Sequence, residues 1–161
     1  MGAGKTTVGR ALARRLAWEF EDLDDRIERM QGCSIAEIFR NSGEAEFRRG
    51  ETAALQQVLN DLSSSARVVA LGGGAFAQVE IARLIEDSGV PVVFLDGPAD
   101  ELFRRCGQEN RERPLCGNLK QFSSLYEQRR PAYLKAARHV DTSGKDQETI
   151  AAEVACILGL G

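Results

Sequence analysis

One histidine, one tryptophan, four prolines and four cysteines in 161 residues set the first limits on this chain. Cys33, Cys106, Cys116 and Cys156 form no Cys-x-x-Cys pair, and His139 is alone, so a structural zinc site is excluded and reduced thiols are expected. The longest apolar run, Val90 to Leu95, is far short of the roughly 20 residues that cross a bilayer. The N-terminus also lacks the basic stub and apolar stretch of an export signal. A cytoplasmic protein without a membrane partner is the expectation. With 43% hydrophobic and 28% charged residues, collagen-like and disordered classes fall away. No repeat or linker interrupts the chain, so one domain is expected over 1–161. A chain of this size buries roughly 70% of the surface it exposes when unfolded, enough for a core without staples.

The net charge of −3 argues against nucleic-acid binding, but the charge is uneven. Between Arg104 and Arg138 there are nine Lys or Arg against three acids, which suggests a small polyanionic ligand. A solvated helix face is the alternative for that stretch.

Apolar spacing places a helix on Val8, Leu12 and Leu16, a strand over Trp18 to Leu23, and a capping-box helix from Ser34 through Phe39. Ala54, Leu55, Val58, Leu59 and Leu62 mark a further helix. Arg67 to Leu71 reads as a buried strand, Ile81, Leu84 and Ile85 as a helix, and Val90 to Leu95 as a strand. A helix around Leu102 and Phe103 leads into a segment poor in apolar residues, expected to be a mobile loop. Leu125, Tyr126, Arg129 and Tyr133 share a helical face, with a kink expected at Pro131. A strand at His139 to Asp141 and a helix through Ile150, Val154 and Leu158 complete the chain. Strands alternating with helices imply an α/β class with a central parallel sheet covered on both faces.

Gly2-Ala3-Gly4-Lys5-Thr6-Thr7 carries the second half of a phosphate-binding G-x-x-x-x-G-K-[ST] loop. Glycine amides at a helix N-terminus wrap phosphates, Lys5 supplies charge to the β- and γ-phosphates, and the Thr6 hydroxyl suits Mg²⁺. Counting back, the loop's first glycine would precede Met1, so the chain is expected to start inside the loop, without the strand that feeds it. Asp22 and Asp24, read as the end of a strand, would point to one face about 7 Å apart. One would serve Mg²⁺ and one an acceptor hydroxyl; an acidic helix cap is the competing reading. Arg48 is a candidate carboxylate ligand, although nothing local separates it from Arg49. Gly72-Gly73-Gly74 after a strand implies bare backbone approaching something, because one turn explains only one glycine.

These motifs together resemble the shikimate kinase family. The phosphate loop, Asp22-Leu23-Asp24 with Ile27-Glu28, Ser34 to Phe39, Gly43-Glu44 with Phe47-Arg48 and Glu51, Gly72 to Gly74, Arg113-Pro114-Leu115 and Arg129 to Tyr133 occur in that family's order. The resemblance implies a three-layer P-loop NTPase fold whose five-stranded sheet would here lack its first strand, with a lid at about 107–118. It implies transfer of the γ-phosphate of ATP to the 3-hydroxyl of shikimate, with Mg²⁺, by a monomer. Under it, Lys5, Asp24 and Arg113 are catalytic, and Asp24 receives a hydrogen bond from the attacking hydroxyl. Gly2, Ala3, Gly4, Lys5, Thr6, Thr7, Arg105 and Arg113 bind ATP, and Thr6 and Asp22 hold the metal. Asp24, Arg48, Gly72, Gly73, Gly74 and Arg129 bind shikimate, the two arginines on its carboxylate. A gluconate-type kinase and a binding protein without turnover, the latter because of the absent strand, are the alternatives.

Overall fold

The computed structural model describes residues 2–106 and 118–160. Helix α1 (Lys5–Leu16) buries Val8, Ala11 and Leu12 and stops at Ala17, whose φ of 53° turns the chain left-handed. Strand β1 (Glu19–Asp22) leads directly into α2 (Leu23–Gln31), closed by Gly32. The strand is shorter than the alternation of Trp18 to Leu23 suggests, because the Asp22 side chain accepts from the Asp24 amide and caps the helix. The Ser34–Glu37 capping box opens α3 as expected. The two helices expected between Ser34 and Leu62 are joined end to end in α3 (Ile35–Asp61), with one break at Gly43, where φ is 79°. Only a residue tolerant of that φ lets the second half start without a loop.

Strand β2 (Arg67–Ala70) runs into the glycine triplet, a short 3₁₀ turn (Ala75–Ala77) and α4 (Val79–Ser88). Strand β3 (Val93–Asp96) begins three residues later than its apolar run, and α5 (Ala99–Cys106) follows. Helix α6 (Leu119–Tyr133) contains Pro131 and ends two residues beyond it. Strand β4 (Arg138–Asp141) and α7 (Gln147–Ile157) end the fold.

Two apolar clusters flank these strands. Leu12, Leu95, Leu102, Phe122, Val140 and Val154 belong to the first. Leu23, Ile27, Phe47, Leu55, Val58 and Ile81 belong to the second, and Phe76 packs against both. The strands form two parallel pairs, β1 with β2 and β3 with β4, so the class is α/β with parallel strands as read from the sequence. Among the described residues no pairing joins β2 to β3. Between them lies an apolar slot of about 380 Å³ lined by both strands. Its presence explains why Arg67, Val68 and Val69, expected to be buried, are only partly covered.

Behind β1 and β2 sits a charged cluster. Glu21, 9% exposed, accepts from Arg26 at 2.6 Å and from Arg67 at 2.8 Å. Burial pushes the Glu21 carboxyl up, but the bonds from Arg26 and Arg67 more than offset this and leave it below its ordinary value of 4.5. A depressed folded value means that the stabilisation is present at neutral pH and lost as pH falls below the ordinary carboxylate range. Removing one partner of such a buried cluster strands the other charges. Glu21→Ala is expected to cost about 3 kcal/mol in urea unfolding at pH 7, with a smaller penalty at pH 3. An equal penalty at both would contradict the assignment.

Candidate active site

The phosphate loop is built by backbone conformation. Gly2 and Gly4 have φ of 61° and 71°, and Gly4 precedes the first turn of α1, where Lys5, Thr6 and Thr7 begin the helix. The first amides of a helix have no intrahelical partner, and α1 carries no acidic residue in its first turn, so its N-terminus favours an anion. Ala3 is buried, and the Thr7 hydroxyl donates back to the Gly4 carbonyl at 3.1 Å. Gly2 is fixed by space as well: a Cβ there would lie 2.0 Å from the Leu102 carbonyl oxygen. The loop therefore rests on α5.

Thr6 Oγ donates to Asp22 Oδ2 at 2.8 Å, and Asp22 Oδ1 accepts from the Asp24 amide at 3.1 Å. Asp22 thus caps α2, as the competing reading had it, and also faces Thr6. The expectation that Asp22 and Asp24 share one face of a strand is overturned. Asp24 stands in the first turn of α2, because the helix starts at Leu23.

From there Asp24 reaches the glycine triplet. A Cβ on Gly72 would meet Glu51 Oε1 at 2.8 Å and Asp24 Oδ1 at 2.9 Å; one on Gly74 would meet Arg48 at 2.8 Å and Arg129 at 3.1 Å. Neither glycine has positive φ, so the demand is for space alone. Arg129 donates to the Gly73 carbonyl at 3.4 Å, and the Tyr133 hydroxyl donates to the same oxygen. Lys5, Gly72 and Gly73 all border the slot between β2 and β3. Residues as far apart in sequence as Asp24 and Arg129 converge here, from the first turn of α2, the middle of α3 and the end of α6, beyond the carboxyl end of β2.

The shikimate kinase family model matches residues 1–158. The chain belongs to the shikimate kinase family. It is 38% identical over 155 residues to a shikimate kinase of Persephonella marina, covering 96% of this chain and 92% of the relative. A shikimate kinase of Thermus thermophilus is 39% identical over 157 residues, with 96% and 83% covered. Among solved structures, shikimate kinase from Acinetobacter baumannii in complex with shikimate superposes with a TM-score of 0.89 at 35% identity, covering 99% of this chain and 89% of that one. The P-loop NTPase fold of shikimate kinases is therefore the fold of this chain.

Within this shikimate kinase fold, Glu51, noted in the sequence only as part of a motif, has a place that the sequence reading did not assign. Its side chain is fully buried, and Oε2 accepts from Arg48 at 2.8 Å and from Gln78 Nε2 at 2.5 Å. Oε1 has no hydrogen-bond partner among the described residues. A signal was available: Glu51 continues the buried stripe of Ala54, Leu55 and Val58 at helical spacing, where a carboxylate is costly without a cation. Arg48 and Arg49, indistinguishable by sequence, differ in structure, at 19% and 72% exposed. Arg48 also bonds Glu44 at 2.9 Å. Its guanidinium loses charge stability through burial, more than restored by Glu51, so it stays cationic.

Two further groups position α5 and α6. Arg105 pairs with Glu101 and donates to Thr142 Oγ at 3.2 Å, which sets it beside the end of β4. Asp96, at the end of β3, accepts from Arg130 at 2.9 Å and from the Tyr126 hydroxyl, tying α6 to the strand. Arg113 and the expected lid, apart from the helix-capping Asn118, lie outside the described residues.

Gly72→Ala is expected to lower stability by about 1–3 kcal/mol in urea unfolding, by forcing Asp24 and Glu51 from their places. Unchanged stability would contradict the close approach of these carboxylates.

Proposed function

We propose that this chain transfers the γ-phosphate of ATP to the 3-hydroxyl of shikimate, giving shikimate 3-phosphate and ADP. The observation that carries the reading is the convergence of Asp24, Arg48 and Arg129 on Gly72 to Gly74, in a chain whose Lys5 borders one cavity with Gly72 and Gly73. The solved relative that holds shikimate supports the choice of acceptor.

Phosphoryl transfer asks the protein for alignment and charge neutralisation rather than covalent chemistry. In this reading Gly2, Ala3, Gly4, Thr6 and Thr7 offer backbone amides to the β- and γ-phosphates, and Lys5 neutralises the transferring group. Arg105, against Thr142, borders the adenine, and Arg113 approaches the phosphates from the segment before α6. Arg48 and Arg129 take the acceptor's carboxylate, and Gly73 and Gly74 present backbone to its ring. Asp24 accepts a hydrogen bond from the attacking hydroxyl and takes its proton. The oxygen pair of Thr6 and Asp22 fits Mg²⁺, a hard cation held by few protein ligands plus phosphate and water. When bound, the ion would neutralise phosphate charge. We assign the chain a single kinase domain over 1–161 and no nucleic-acid partner, and expect it to act as a monomer.

One observation favours a second reading, a protein that binds both ligands without turnover: the apolar slot between β2 and β3 lies directly beside the phosphate loop. A coupled assay separates the two. ADP release that depends on shikimate and not on gluconate is expected; tight binding of both ligands without release would support the second reading. In the active chain, Asp24→Asn is expected to lower kcat by at least about tenfold with the ATP KM little changed; an unchanged kcat would reject its role. Arg129→Ala is expected to raise the shikimate KM by at least about tenfold and the ATP KM much less, and equal effects would place Arg129 elsewhere.

A further inference from the structure

Helix α6 meets the strand ends through two pairs of side chains of the same chemistry. Tyr126 and Arg130, four residues apart, both donate to the Asp96 carboxylate at the end of β3, Arg130 at 2.9 Å. Arg129 and Tyr133, also four apart, both donate to the Gly73 carbonyl beyond β2, Arg129 at 3.4 Å. Residues at this spacing share a helix face, and the second pair is offset from the first by three residues, about 60° around the axis. The helix is thus held at two points on neighbouring faces, by a side chain at one and by the glycine triplet's backbone at the other. Burial pushes both phenols above their ordinary value of 10.0, so each remains a donor at neutral pH. Phe94, two residues before Asp96 and so on the same face of β3, sets its ring 5.2 Å from that of Tyr133.

We propose that Asp96 is a positioning residue for the acceptor: by holding Tyr126 and Arg130 it sets the rotation of α6, and with it the aim of Arg129 at the space over Gly74. Arg129 and Arg130 are adjacent, about 100° apart around the helix, so fixing the direction of one fixes that of the other. Asp96 takes Arg130 through Oδ2 and Tyr126 through Oδ1. Oδ1 also accepts from the Gly97 amide at 2.9 Å, so the carboxylate itself is held in place. Tyr126 is buried, and opening this end of the clamp would leave its hydroxyl without an acceptor. A force works against the clamp: Arg48 and Arg129 both approach the space over Gly74 and repel each other, and turning α6 would relieve the repulsion. Glu51 sets Arg48 from one turn along the same helix. Asp96 does the equivalent for Arg129 from a strand, through the neighbouring arginine.

The role of Asp96 towards the acceptor rests on the kinase reading; its setting of α6 does not. Two measurements on the full chain keep these apart.

The first needs no ligand: the shift in urea midpoint caused by Tyr133→Phe is compared in the wild-type and Asp96→Ala backgrounds. If Asp96 sets α6, Tyr133 loses its hold on Gly73 without it, and the shift is expected to shrink by at least about half. An equal shift in both backgrounds would overturn the proposal, because the two ends of the clamp would then act independently. The second is calorimetric titration with shikimate in the presence of a non-hydrolysable ATP analogue. Asp96→Ala is expected to bind shikimate at least about fivefold more weakly than wild type, with affinity for the analogue changed less than about twofold. A merely structural loss lowers the number of binding sites and does not weaken one ligand over the other. Unchanged shikimate affinity, or equal weakening of both ligands, would overturn the proposal. Arg130→Ala, at a side chain 40% exposed, is the milder arm should Asp96→Ala not fold, with a smaller effect expected in the same direction. A wild-type chain that does not bind shikimate would count against the kinase reading and leave the urea comparison to decide the clamp.

Discussion

Two guanidinium groups beside one bare backbone position repel each other unless a carboxylate stands behind them. Arg48 and Arg129 both approach the space over Gly74, within about 6 Å of one another. At an effective dielectric of about 20 that repulsion is on the order of 3 kcal/mol. Glu51 offsets it: fully buried, it takes Arg48 through one oxygen and keeps its other oxygen near Gly72. In the proposed reading the planar donors of this pair take a ligand carboxylate. The glycines follow from this arrangement, since any side chain at 72 or 74 would enter space held by charged groups.

The second half of the site is tied to the first by short polar links. Thr6 on α1 bonds Asp22, Asp22 caps the helix that carries Asp24, and Asp24 faces Gly72 beside Glu51. Few of these side chains can move alone. The arrangement places a phosphate-favouring helix N-terminus at one end and a carboxylate-favouring pair at the other, with one carboxylate between them. Transfer chemistry gains from such preorganisation because the dipoles need not reorient as charge develops.

Features written in local spacing were legible in the sequence. The capping box at Ser34, the amphipathic stripe of α1, the loop glycines and the order of strands and helices all match the structure. Asp24 was assigned a site from its motif, but its geometry was misread: alternation across Trp18 to Leu23 looks like a strand, while the Asp22 cap starts a helix two residues before Asp24. Arg48 could not be told from Arg49, because the distinction lies in a fully buried glutamate one turn away and a glycine triplet far along the chain. Glu51, noted as part of a motif, was given no role for the same reason.

The central claim is that Arg48 and Arg129, set by Glu51, read a carboxylate. The most direct test is calorimetric titration of the wild-type chain, in the presence of a non-hydrolysable ATP analogue, with shikimate and with its methyl ester. Shikimate is expected to bind at least about tenfold more tightly, the value of one lost charge-assisted hydrogen bond or more. Equal affinity for the acid and the ester would contradict the account.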